Sequence, residues 1–187
     1  MKNQRDMSIS YTTKVIRLSK CALLFGVTLY YFLIVFNNIT DYDSNYQFVR
    51  HVLMMDSTFP NNHSMWRAIN QPFIHKLFYL SIIGWEFLTG LLCGWGFIRL
   101  LRQINSQIPT FHRAKSSAII ALTLGCLLWF AAFINIGGEW FLMWQSHTWN
   151  GEEVAFRMFV ILALILFYIS GPEYENSSSN AECQTTI

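Results

Sequence analysis

Four apolar runs, at about residues 18–38, 72–101, 117–140 and 154–171, constrain this chain more than anything else in it. A helix crossing a bilayer needs roughly 20 apolar residues at ~1.5 Å rise each, and every run supplies about that many. Hydrocarbon offers no water to satisfy peptide groups, so runs of this kind must be helical. Composition agrees: 53% of the residues are hydrophobic and 13% are charged, whereas a soluble domain devotes about a quarter to charge. The expected fold class is an all-α membrane protein, a four-transmembrane-helix bundle. It divides into a polar segment at 1–17, a membrane domain at 18–171 and a tail at 172–187. The tail is acidic and rich in Ser and Asn, a composition expected to be disordered. The first run is followed by Asn37 and Asn38 rather than a small-residue cleavage site, and reads as a retained anchor.

The distribution of charge gives an expected orientation. Nine of the thirteen Lys and Arg residues lie in the N-terminal segment and in the connection from Arg99 to Lys115. In a four-span protein these two segments share a side, which the positive-inside rule makes cytoplasmic. The expectation is N-in and C-in. The net charge of +2 is too small to point to nucleic acid. Cys21, Cys93 and Cys126 fall in apolar runs and Cys183 in the tail, without a CxxC pair. That spacing suits neither disulfides nor a metal site, and the cysteines read as small hydrophobes.

The segment between the first two runs, expected to face outward, is too apolar to be a featureless linker. Phe48, Val52 and Met55 recur at helical spacing, and Pro60 ends that pattern. Asn70 is a plausible N-cap for the second run, with Pro72 in its first turn. A long loop carrying its own apolar residues folds back on something, and such loops tend to be functional. The expected partner is the other outer loop, 135–157, which concentrates tryptophan and charge in the string NIGGEWFLMWQSHTWNGEEVAFR.

Candidate ligand-binding residues come from these outer segments and from Glu86. Glu86 lies among Ile82, Ile83, Trp85, Phe87 and Leu88, on the order of 20 Å along the helix from Pro72. An ionisable group at that depth is costly unless paired or wetted, and defaults to a functional hypothesis. Periodicity places it with Thr89, Gly90, Cys93 and Gly94 on an inward face, where Gly90 and Gly94 let a second helix approach closely. A Glu protonated and hydrogen-bonded for packing is the bland alternative. The first loop contributes Asp41, Arg50, His51, Asp56 and Arg67, and the second run His75. The last loop contributes Glu139, Trp144, Asn150 and Arg157. Glu139, placed on the inward face of the third run, pairs naturally with Arg157 across the loop; Glu153 and Arg157 form an alternative local pair. The tryptophans suit a membrane interface first, and the rim of a pocket is the second reading.

His51, His75 and Glu86 are the candidate metal ligands, although no HExxH or HxxxH spacing supports them. No cofactor is identified, and there is no GxSxG element or phosphate-binding glycine loop. Three readings stay open. The first is a non-enzymatic membrane protein whose outer polar and aromatic cluster binds a small ligand or a partner membrane subunit. The second is a redox or enzyme subunit linked to a metal, haem or quinone. The third is a structural scaffold. The partners expected are the lipid bilayer and a membrane protein or a second copy of the chain.

The strings NNITDYDSNYQFVRHVLMMDSTFP, WRAI, GGEWFLMWQSHTWNG and AFR resemble a bacterial family of predicted small integral membrane proteins, a domain of unknown function. The resemblance runs from about Val15 to Ser170. It implies four spans and a bacterial inner membrane, and supplies no activity, cofactor or catalytic residue.

Overall fold

The computed structural model describes residues 10–173. The first nine residues and 174–187, with Cys183 and most of the tail expected to be disordered, lie outside the described residues. The described chain is all-helical. Its long elements are α1 (Tyr11–Thr40), α2 (Tyr42–Met54), α3 (Pro72–Arg102), α4 (Ile108–Leu127, continued as a π-helix over Leu128–Trp140) and α5 (Glu152–Ser170). Four helices, α1, α3, α4 with its continuation, and α5, are long and apolar enough to cross a membrane. α1 and α3 have 30 and 31 residues. At ~1.5 Å per residue each reaches about 45 Å, more than the ~30 Å hydrocarbon core, so their ends extend past it.

The four helices close a ring in which α1 packs on α3, α3 on α4, α4 on α5 and α5 on α1. Large apolar side chains cover the outside of that ring. Phe25, Leu29, Leu33, Leu80, Leu91 and Phe167 are all exposed, the pattern of helices that face lipid. Small residues set the helix spacing inside. A Cβ added at Gly90 would lie 3.2 Å from Cβ of Tyr31, and one at Gly94 would lie 3.3 Å from Cγ2 of Thr28. The expected Gly90–Gly94 pair thus seats α1 against α3 within the same subunit. Gly96 does the same on the next face, where a Cβ would come 3.0 Å from the backbone of Ala118 on α4.

The apolar spacing of Phe48, Val52 and Met55 becomes α2, and Met55 ends it in a left-handed conformation with φ of 53°. The Met55 side chain is buried beside Val49, Leu53, Tyr79 and Phe141, which form a second small core. α3 begins one residue later than the expected Asn70 cap: Gln71 is the cap residue, without a side-chain hydrogen bond, and Pro72 opens the helix.

The second half of the third span departs from the sequence expectation. Simple α-periodicity puts Gly125, Trp129, Ala132, Asn135 or Ile136, Glu139 and Met143 on one inward face. From Leu128 the backbone is π-helical, with i→i+5 bonding and hence a wider turn; Phe141 N donates to Ile136 O at 3.0 Å. The inward stripe therefore drifts. Trp129 is buried, but the next fully buried positions are Gly137 and Gly138, and Asn135, Ile136 and Glu139 turn outward.

Candidate functional site at the aromatic end

At the end of the bundle away from the basic N-terminal segment and the Arg99–Lys115 connection, α2 and the two long loops form a cap. Phe59 N donates to Oε1 of Gln145 at 3.0 Å, and Ser57 Oγ donates to Oγ of Ser146 at 2.8 Å. The rings of Phe59 and Trp144 meet edge-on at 5.7 Å, as do Trp66 and Trp140 at 5.8 Å. The first loop is thus packed on the last.

Beneath this cap sits a buried polar group. Asn38, in the last turn of α1, donates from Nδ2 to Oε2 of Glu86 at 2.6 Å. Tyr79 donates its hydroxyl to the backbone oxygen of Asn38 at 2.9 Å, satisfying one of the carbonyls that a helix C-terminus leaves open. Glu86 and Tyr79 are 2% and 1% exposed. Glu86 therefore lies level with the end of α1, and the fourteen residues of α3 before it rise beside the cap. An open cleft of about 400 Å³, lined by Ile34, Asn37, Asn38, Asp41 and Asn45, shares Asn38 with this buried group. A second of about 420 Å³ is lined by Ile134, Asn150, Glu152, Glu153 and Phe156.

The other candidates separate into small local groups. His51 Nδ1 lies 2.7 Å from Oδ2 of Asp56, and its ring stacks on Trp149 at 4.5 Å and 7°. Arg67 packs against two indoles, 5.3 Å from the Trp66 centroid and 4.7 Å from that of Trp140. Its Nη1 donates to Trp140 O at 3.3 Å, and its Nε is buried with no partner among the described residues. Arg50 donates to Oε1 of Gln47 at 3.1 Å, while Oδ1 of Asp41 accepts from Ser44 at 2.9 Å. Asn150 accepts from the backbone N of Glu152 at 3.0 Å, opening α5.

Two expectations need correction. Glu139 and Arg157 are both exposed, and among the described residues neither forms an ion pair; the local alternative between Glu153 and Arg157 is not formed either. The wider π turn rotates Glu139 off the inward face, which removes the geometry that the pairing assumed. His51, His75 and Glu86 do not converge as metal ligands. His75 is buried with Nε2 2.7 Å from the backbone oxygen of Ile69, and His51 is paired with Asp56. Among the described residues no group of three or more His, Cys, Asp or Glu side chains is placed to hold a metal.

Tyr79 and Trp149 are the residues that periodicity missed. Tyr79 reads as one more aromatic in an apolar helix, and Trp149 as an interfacial tryptophan. Only their partners distinguish them. Asn38 is expected from the sequence in one polar cluster with Glu86, but nothing in its spacing marks it as the donor to that carboxyl.

The pair Asn38–Glu86 carries a stability prediction. Asn38→Leu leaves the buried carboxyl of Glu86 without its donor, a loss of about 1–3 kcal/mol. Asn38→Leu with Glu86→Leu is expected to recover most of that loss, because two apolar groups then face each other. Unfolding in mild detergent across the four-variant cycle measures the coupling.

The family model "Predicted small integral membrane protein (DUF2165)" matches residues 16–172. The chain belongs to that family. No curated protein and no solved structure matches it. It is an integral membrane protein with four candidate spans, so its surroundings are a lipid bilayer. Within this family member the cap, the Asn38–Glu86 pair and the adjoining cleft form the candidate site at one end, and a set of buried cations lies at the other.

Proposed function

We propose that this family member is a non-enzymatic binding protein of a bacterial inner membrane, with its cap outward, and that the cleft beside Asn38 takes a small polar ligand. The observation that carries the reading is the buried Asn38–Glu86 pair adjoining an open cleft rimmed by Asn37, Asp41 and Asn45. Carboxylates and amide oxygens accept hydrogen bonds, so the chemistry suits a cation or a ligand rich in N–H and O–H donors. Concave sites with few convergent polar groups are the usual form of small-ligand sites. The stacked His51–Trp149 pair and the contacts of Arg67 with Trp66 and Trp140 tie the cap together.

Screening purified protein against small ammonium compounds, guanidinium compounds and sugars by thermal shift tests this. At least one compound is expected to stabilise the wild type, with the effect lost in Glu86→Gln and weakened in Asp41→Asn. If every compound shifts wild type and Glu86→Gln alike, the cleft is not a ligand site.

The orientation follows from the positive-inside rule applied to the lysines and arginines gathered at the opposite end. It predicts that Asn61→Cys, in a Cys183→Ser background, reacts in intact cells with a membrane-impermeant maleimide. Ser106→Cys is expected to react only after the membrane is opened. The reverse pattern would invert the topology.

A further inference from the structure

The basic end of the bundle holds a group of charges that the cap does not use. Arg17 and Lys20 on α1 and Lys115 on α4 are 0%, 2% and 1% exposed. All three face one carboxylate, that of Glu173, which follows α5. Arg17 Nε lies 2.8 Å from Oε2, and Lys115 and Lys20 lie 3.3 and 3.5 Å from Oε1. Arg17 also donates from Nη1 to the backbone oxygens of Ile104 and Ser106 at 2.9 and 2.6 Å. Lys115 donates to Gly171 O at 2.8 Å. The ring of Phe111 lies under both, 4.3 Å from the Arg17 guanidinium and 5.8 Å from the Lys115 ammonium.

Two features point past a simple lock. Among the described residues three cations meet one carboxylate, an excess of two positive charges in a buried place and a costly arrangement. In addition, Nη2 of Arg17 is buried and has no partner among the described residues. Nε and Nη2 share the guanidinium edge that a carboxylate or phosphate takes in bidentate fashion. Glu173 uses only Nε, so half of that edge is unclaimed.

We propose that Arg17, Lys20 and Lys115 form a binding site for a dianionic phosphate group, which the Glu173 carboxylate occupies and gates. A phosphate monoester brings one more charge and one more oxygen than the carboxylate. It takes Nε and Nη2 with two oxygens and leaves a third for the two lysines to share. A phosphodiester, with a single charge, gains little over Glu173. Basic pockets between helices at the positive end of a membrane protein suit anionic headgroups, and free phosphate shares the chemistry. Glu173 must move aside for either, which makes its side chain the gate.

Full-length protein in nanodiscs, in chloride buffer of matched ionic strength, is titrated with inorganic phosphate. In parallel it is reconstituted with phosphatidic acid, phosphatidylglycerol or phosphatidylcholine. Thermal midpoints and lipid retention in native mass spectrometry are read for wild type, Glu173→Gln, Lys20→Gln and Lys115→Gln. Phosphatidic acid is expected to stabilise and be retained over phosphatidylglycerol. Glu173→Gln should tighten that binding on the order of tenfold and Lys115→Gln abolish it. Lys20→Gln, which removes the most distant cation, keeps the test open if Lys115→Gln does not fold. An effect of phosphatidic acid without one of inorganic phosphate assigns the site to a lipid headgroup; an equal effect of inorganic phosphate assigns it to the soluble ion. Equal response to phosphatidylglycerol, or no phosphate response in wild type and Glu173→Gln, overturns the proposal and leaves the cluster a structural lock.

Discussion

Replacing Gly96 with valine is expected to cost about 3 kcal/mol of stability, at the upper end of what overpacking a core typically costs. The reason is local and rigid. A Cβ at Gly96 would lie 3.0 Å from both N and Cα of Ala118 and 3.3 Å from its Cβ. Those atoms belong to the backbone of α4, so no side chain can swing away; the two helices must separate. Separation would also strip contacts from Leu100, Phe111 and Leu122 in the same core. Within a bilayer, close packing of small residues is a main source of helix association, because lipid tails are as apolar as the side chains they would replace. Gly84→Val on the same helix is the control, since nothing lies within 4 Å of a Cβ there. Thermal unfolding in mild detergent should show a large fall in midpoint for Gly96→Val and a small change for Gly84→Val. Equal effects would mean that helix propensity, not the α3–α4 contact, governs the loss.

The second large effect belongs to Glu173. In phosphate-free detergent, Glu173→Ala is expected to destabilise by about 3–5 kcal/mol, the usual result of removing one partner from a buried charge group. Its carboxylate is 2% exposed and is the one acidic side chain near Arg17, Lys20 and Lys115 among the described residues. Without it, three cations stay behind with backbone oxygens and the Phe111 face. Adding Lys115→Met to Glu173→Ala should restore part of the loss, because the remaining charge excess falls by one. The double variant matching the sum of the two single effects would show that the lysine and the carboxylate are not coupled. The cost should also shrink little in high salt, since buried charges are screened far less than exposed ones.

The charge cluster shows a limit of reading along the chain. Lys115 and Arg17 read as ordinary members of a cytoplasmic basic set, and Glu173 as the first acid of a polar tail. Nothing in their spacing places the three together, because they are separated by 98 and 58 positions and come from three different helices or helix ends. A weak signal existed: Lys115 and Arg17 each border an apolar run closely enough to be pulled under its end. Glu86 is the converse case. Its burial was legible from its apolar neighbours, and its face from the repeat through Thr89, Gly90 and Cys93, which are all buried. Its donor was not legible. Identifying Asn38 requires the axial offset of α1 against α3, and that offset is fixed by the seat of Tyr31 and Thr28 on Gly90 and Gly94.

The sequence by itself determined the four apolar spans, the all-helical class, the family and the end of the bundle that is basic. Each of these is a sum over neighbouring residues: hydropathy over about 20 positions, or charge over a connection. The tertiary structure decided which polar groups meet. It set Asn38 against Glu86, turned Glu139 away from Arg157 through the π-helical half of the third span, and brought three cations around Glu173. Such pairings depend on how far each helix is slid and rotated against the next. A shift of one residue moves a side chain ~1.5 Å along the axis, half the length of a hydrogen bond, and turns it well round the helix. That register is set by small contacts distributed over the whole bundle.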